Sequence, residues 1–147
     1  MSKKHSDATF KRLTLDDHEL LLRSDAFDHA VRSDQAQQFL NDPACEIIAA
    51  IIDDEIIGFA SGIILLHPDK APAFFVSEVG VNEPYQRQGI ASELVVQLLD
   101  RARERGCEGI WLATEGDNMP AQGLYKKLKA RETRDIVVYD WDGAMDD

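Results

Sequence analysis

Cysteine is nearly missing from this chain: Cys45 and Cys107 are the only two among 147 residues. Each sits in or beside an apolar stretch, which argues against a disulfide framework or a cysteine metal site and for buried thiols in a reducing compartment. Long apolar runs are missing too. No stretch approaches the roughly 20 residues that span a bilayer. The opening MSKKHSDATF has two lysines but no apolar run behind them, so no targeting segment is expected and the chain reads as cytoplasmic. Basic residues are scarce, since 16 Lys and Arg stand against 27 Asp and Glu for a formal net charge of −11. That field repels nucleic-acid phosphates and anionic lipid and attracts cations. Nucleic acid and membrane are therefore not expected partners, whereas a polycationic small molecule is. His5, His18, His29 and His67 lack ligand-like spacing, so no metal is expected.

What is present fits one globular domain over residues 1–147, with 44% hydrophobic and 29% charged residues and a loose polar tail at 1–7. A short strand is expected at 10–13. Thr14 followed by Asp17 marks a helix start, with Leu15, Leu20, Leu21 and Leu22 as its apolar weight and an end before Ser24. A second helix is expected over 27–41. Isoleucine-rich arms at 46–52 and 56–66, separated by Asp53, Asp54 and Glu55, predict a hairpin. Gly58 and Gly62 in its second arm predict a bulge or a close backbone approach. Another strand covers 73–81. A polar loop at 82–89 then feeds a helix whose Ile90, Leu94, Val95, Leu98, Leu99 and Ala102 recur at helical spacing, ending at Gly106. A short strand at 110–113, a helix opening at Pro120 and a final strand at 136–141 complete the order. Strand, loop and helix repeat at 74–105 and 109–128, which predicts an α/β fold with a single twisted mixed sheet flanked by helices.

The loop Gln86, Arg87, Gln88, Gly89, Ile90, Ala91 and Ser92 lies between strand and helix. Small residues at Gly89 and Ala91 let a diphosphate approach the main chain, where free amides and the positive end of the helix dipole hold its charge. Arg87 adds a direct charge. The stretch resembles the acyl-CoA signature of the GNAT superfamily of N-acetyltransferases, written Gln or Arg, two residues, Gly, one residue, Gly or Ala, and matched by Gln86, Gly89 and Ala91. A second segment is similar to that family's late helix: Asn118, Ala121, Leu124, Tyr125, Lys127 and Leu128. The resemblance covers roughly residues 38–142. It departs where the family commonly follows that helix with Gly and Phe, because Lys129 and Ala130 stand there.

The resemblance implies the GNAT-like fold, acetyl-CoA as co-substrate, and a roster of site residues. The main chain of Val79, Gly80 and Val81 is expected to pair with the pantetheine arm, and an amide there to support the oxyanion. Asn118, Ala121 and Tyr125 flank the thiol end. Tyr125 is expected as general acid, because a phenol has a pKa close enough to that of a thiol to donate usefully. Glu78 is expected to accept the amine's proton, directly or through water, or to anchor a cationic substrate by charge. Within the superfamily, residues 77–91, the run Glu115, Gly116, Asp117 and the ending Tyr139, Asp140, Trp141, Asp142 look most like aminoglycoside 3-N-acetyltransferases. That likeness names Glu78, Glu115, Asp117, Asp140 and Asp142 as substrate-binding candidates and an antibiotic as leading substrate. Polyamines fit the same charge argument. Acetylation of a peptide or protein amine, and a non-catalytic acetyl-CoA-binding module, are the other readings. A homodimer is expected by analogy with the superfamily's final strands.

Overall fold

The computed structural model describes residues 7–146. In chain order its elements are strand β1 (Thr9–Arg12), helix α1 (His18–Leu22) after a 3-10 turn at Leu15–Asp17, helix α2 (Ser33–Asn41), strands β2 (Cys45–Ile52), β3 (Glu55–Leu65) and β4 (Ala73–Val81), helix α3 (Ile90–Glu104), strand β5 (Ile110–Trp111) and helix α4 (Met119–Lys127). The strands form one sheet in the order β1-β2-β3-β4-β5. The first four are antiparallel neighbours, and β5 lies parallel to β4. Among the described residues no helix is long and apolar enough to cross a membrane.

Local chemistry explains most of these elements. Asp53 and Asp54 both adopt positive φ, 52° and 61°, giving the two-residue turn whose twist matches the β2–β3 hairpin. Asp tolerates that region because its short carboxylate bonds locally. The apolar spacing of α3 puts Ile90, Leu94, Val95, Leu98 and Ala102 in the interior, and four of them join Ile48, Ala60, Phe74 and Val76 in one core cluster. Burying each such aliphatic side chain contributes about 1.5–3 kcal/mol. On the opposite face Leu21 and Ala36 from α1 and α2 pack with Ile47, Ala49, Ile56 and Phe59. The sheet is thus filled on both sides.

Two bulges interrupt this alternation. The β2–β3 register steps from Ala50 opposite Gly58 to Ile51 opposite Ile56, leaving Ile57 extra. On β4, Ser61 faces Glu78 while Gly62 faces Val76, leaving Ser77 extra. Gly62 is also a close approach, since a β-carbon there would lie 2.3 Å from the Phe74 ring and 2.5 Å from the Phe75 carbonyl oxygen. Both meanings expected of the β3 glycines are therefore present.

Three expectations need correction. The helix expected over 27–41 begins only at Ser33, because Phe27 stacks on Phe59 at 3.9 Å and Arg32 is extended at φ −96° and ψ 130°. The strand expected over 110–113 spans only Ile110–Trp111, since it finds a pairing partner on β4 only at Phe74 and Phe75. The final strand at 136–141 does not form: among the described residues, 131–140 make no main-chain hydrogen bond. Its β-branched and aromatic composition finds no partner edge, leaving Ile136, Val137, Val138, Tyr139 and Trp141 exposed. The expectation for the tail at 1–7 falls almost wholly outside the described residues.

One ion cluster ties the layers together. The Glu46 side chain on β2 is fully buried and accepts Arg12 Nε at 2.6 Å and Arg101 Nε at 3.1 Å, with the Arg105 guanidinium on the same oxygen. Burial alone would raise this carboxyl, but the guanidiniums of Arg12 and Arg101 outweigh it and hold it below the usual range.

Candidate active site: a split in the sheet beside a helix start

Strand β4 pairs with β3 along its length but with β5 only at Phe74 and Phe75. Past that point the two strands part. The opening is a cleft of about 290 Å³ with Val76, Ser77, Glu78, Val79 and Gly80 on one wall and Leu112, Ala113 and Thr114 on the other. Asn118, Ala121 and Tyr125 of α4 close it. Peptide groups of β4 after Phe75 have no strand partner on this side, so an extended ligand can pair with them as another strand would.

Directly after β4 the loop turns on itself. The Gln86 side-chain amide donates to the Val81 carbonyl at 2.9 Å. Arg87 and Gly89 take positive φ, 63° and 83°. The first α3 bond runs from the Glu93 amide to the Gly89 carbonyl at 3.1 Å, so the amides of Ile90, Ala91 and Ser92 have no helical acceptor. A β-carbon at Gly89 would meet nothing within 4 Å. Backbone conformation rather than space therefore calls for glycine there. The result is a cluster of outward amides at a helix start, suited to a diphosphate.

Helix α4 is fixed by side chains of its own. Asn118 accepts the Ala121 amide at 3.2 Å as its N-cap, and Pro120 sits in the first turn. Buried Gln122 donates to the carbonyls of Gly116 at 2.7 Å and Glu115 at 3.3 Å and accepts from Arg134 at 3.1 Å. At the other end Ala130 N bonds Tyr125 O at 3.0 Å and Lys129 N bonds Lys126 O at 2.9 Å, a Schellman closure. Lys129 takes φ 65° where the family commonly has glycine, so the helix exit survives at a local cost of about 1 kcal/mol. Half-buried Tyr125 lines the cleft, and burial pushes its phenol above the ordinary value. It is protonated at neutral pH and able to donate.

The α1–α2 face of the sheet holds a larger cavity of about 670 Å³, between the sheet and residues 27–42. Its outer wall is held by three contacts: Ser24 Oγ to the Ile56 carbonyl at 3.2 Å, Asn82 Nδ2 to Asp25 Oδ1 at 2.8 Å, and the Phe27–Phe59 stack. Asp28 and Glu78 are the two residues common to both cavities. The bulge at Ser77 decides this. Phe74, Val76, Val79 and Val81 all pack toward α3, so the extra residue between Val76 and Val79 turns Glu78 to the other face. Without it Glu78 would enter the α3 core. Glu78 is exposed at the cavity mouth, yet enough protein surrounds it that lost hydration raises its pKa, with the Asp28 carboxylate adding to the rise and His29 opposing it.

Around the cleft the structure gathers Glu78, Val79, Gly80, Asn118, Ala121 and Tyr125. Val81 and residues 86–92 continue from its end. Glu115, Asp117, Asp140 and Asp142 line neither cavity. Glu115 offers its carbonyl to Gln122, and Asp140 accepts the Met145 amide at 3.1 Å. Asp28 and His29 carry no motif in the sequence, and the local helical pattern over 27–41 masks the loop that brings them to the cavity.

A single five-stranded sheet split at β4, with a free strand edge that runs into a cluster of helix-start amides, defines the class of α/β protein to which this fold belongs. The chain belongs to the acetyltransferase (GNAT) family, whose profile it matches over residues 10–129. Among curated relatives, L-2,4-diaminobutyric acid acetyltransferase of Virgibacillus pantothenticus is 29% identical over 94 residues, covering 64% of this chain and 58% of that protein. The [ribosomal protein bS18]-alanine N-acetyltransferase of Escherichia coli is 29% identical over 100 residues, covering 68% and 60%. The matched stretch thus spans about three-fifths of these relatives. A crystal structure of an aminoglycoside acetyltransferase from an uncultured soil metagenomic sample, in complex with trehalose, superposes with a TM-score of 0.80 at 20% identity, covering 93% of this chain and 97% of that one. That likeness establishes the fold.

Proposed function

We propose that this chain transfers the acetyl group of acetyl-CoA to a primary amine of a cationic small molecule, with an aminoglycoside antibiotic as the leading acceptor and its 3-amino group as the site. The observation that carries the reading is the placement of Glu78 and Tyr125 on one cleft, beside the unpaired main chain of β4. Acetyl-CoA supplies the acyl thioester. The amides of Ile90, Ala91 and Ser92 hold its diphosphate, and the free edge at Val79, Gly80 and Val81 aligns its arm and supports the carbonyl oxygen. Glu78 takes the proton that the amine must lose; its raised pKa makes it a better base than an ordinary carboxylate. Tyr125 gives a proton to the departing sulfur.

The net charge of −11 supports a cationic acceptor. Linear polyamines satisfy the same electrostatics, and peptide amines are the further alternative. The experiment is thiol release from acetyl-CoA with a panel of aminoglycosides, polyamines and peptides, with product NMR assigning the acetylated nitrogen. Release with polyamines alone moves the acceptor class. Binding of acetyl-CoA without release from any amine identifies a carrier module instead. We also propose a homodimer, supported by the exposed apolar row Ile136, Val137, Val138, Tyr139 and Trp141. Sedimentation at micromolar concentration tests it, with a monomer as the refuting result.

A further inference from the structure

We propose that Asp28 is a specificity-determining residue: it holds a second ammonium group of a diamine acceptor while Glu78 receives the amine that reacts. This inference rests on the acetyltransferase reading and narrows its substrate to amines with two cationic nitrogens on one short aliphatic frame.

The argument begins with the two cavities. One opens where β4 parts from β5, the other lies on the α1–α2 face of the sheet, and Asp28 and Glu78 are the residues they share. A nitrogen beside Glu78 is therefore at the junction with the cleft that carries Tyr125. The body of such a molecule extends into the larger cavity, where Leu21, Phe27, Val31, Phe39 and Ile47 supply an apolar wall for an aliphatic frame. Neither a hydrogen bond nor an ion pair engages the side chain of Asp28 or Glu78 among the described residues. Two unpaired carboxylates so placed repel each other, and a molecule bringing one cation to each removes that repulsion and gains two charge-assisted bonds. Arg32, the cavity's one arginine, is turned to Asp34 at 2.9 Å, and His29 on the same wall opposes the rise at Glu78 without reversing it.

The position of Asp28 is built rather than incidental. Ser24, Asp25 and Phe27 fasten the segment before it to β3 and to the loop after β4. The side chain itself is exposed, so replacing it leaves the fold intact.

The test compares Asp28→Asn and Asp28→Glu with wild type on propane-, butane- and pentanediamine, the matching monoamines and an aminoglycoside, with melting temperature as control. Asp28→Asn is expected to lose about tenfold in kcat/KM on diamines and aminoglycoside, mostly through KM, and less than about twofold on monoamines. Asp28→Glu is expected to restore the preference. Equal losses on diamines and monoamines, or no loss on either, overturn the proposal while leaving the acetyltransferase reading standing. A wild type that acetylates no amine overturns that reading and this assignment with it.

Discussion

Two glutamates on neighbouring parts of one sheet, Glu46 on β2 and Glu78 on β4, have opposite surroundings. Glu46 is buried and ringed by the guanidiniums of Arg12, Arg101 and Arg105; Glu78 stands at a cavity mouth facing another carboxylate, Asp28. Burial acts against ionisation in both. At Glu46 the arginines win and the pKa falls; at Glu78 the neighbour adds to the rise. The same side chain thus stays ionised in one place and holds its proton more readily in the other, because charge partners rather than residue type set the outcome.

The largest expected effect breaks the Glu46 cluster. Glu46→Gln removes the charge that three guanidiniums share, and because those arginines keep partial solvent contact the loss sits at the low end for a broken buried pair, about 3 kcal/mol. Urea unfolding measures it. Activity per folded molecule is expected to be unchanged, so a parallel fall in turnover with stability intact contradicts the structural role.

Glu78→Gln should do the reverse. Loss of a general base costs about a hundredfold in kcat/KM, with the melting temperature unmoved. The pH profile sharpens the contrast. Glu78 has a raised folded pKa, so the acid limb of kcat/KM should lie above the ordinary glutamate value of about 4.3. Glu46 has a lowered folded pKa, so its stabilisation is present above the unfolded value and is lost as pH falls through the folded one. On acidification activity should therefore disappear before the fold does. Coincident loss of the two, followed by circular dichroism and thiol release, rejects the assignment.

Tyr125→Phe removes the proton donor but keeps the ring. A drop of about tenfold in kcat at neutral pH is expected, smaller than for Glu78 because a thiolate is a tolerable leaving group. Unchanged turnover would reduce Tyr125 to a packing residue. Gly89→Ala forces a side chain into φ 83°, with a strain of about 1 kcal/mol and an approximately fivefold weaker uptake of CoA by calorimetry. Full affinity with unchanged stability removes the loop from the site.

How much of this was readable beforehand differs from element to element. The hairpin was legible because Asp53 and Asp54 lie between two isoleucine runs, and α3 because its apolar spacing repeats over 15 residues. The turn into α3 at Gly89 was legible as a local motif. The Glu46 cluster was not, because its arginines lie 34, 55 and 59 positions away. Nor was the true start of α2, where the Phe27–Phe59 stack overrides local helical preference.

Sequence alone determined the order of elements as far as α4, the acidic field and the residues available for chemistry, since these follow from local patterns of a few positions each. Tertiary structure decided which of them meet. The bulge at Ser77 turns Glu78 away from the α3 core, the brevity of β5 opens the cleft, and the segment fastened by Ser24, Asp25 and Phe27 brings Asp28 to the shared wall. Alternation with Val79 already points Glu78 away from the two valines, but no local pattern encodes the opening or the shared wall, because these are settled only when distant segments pack against each other.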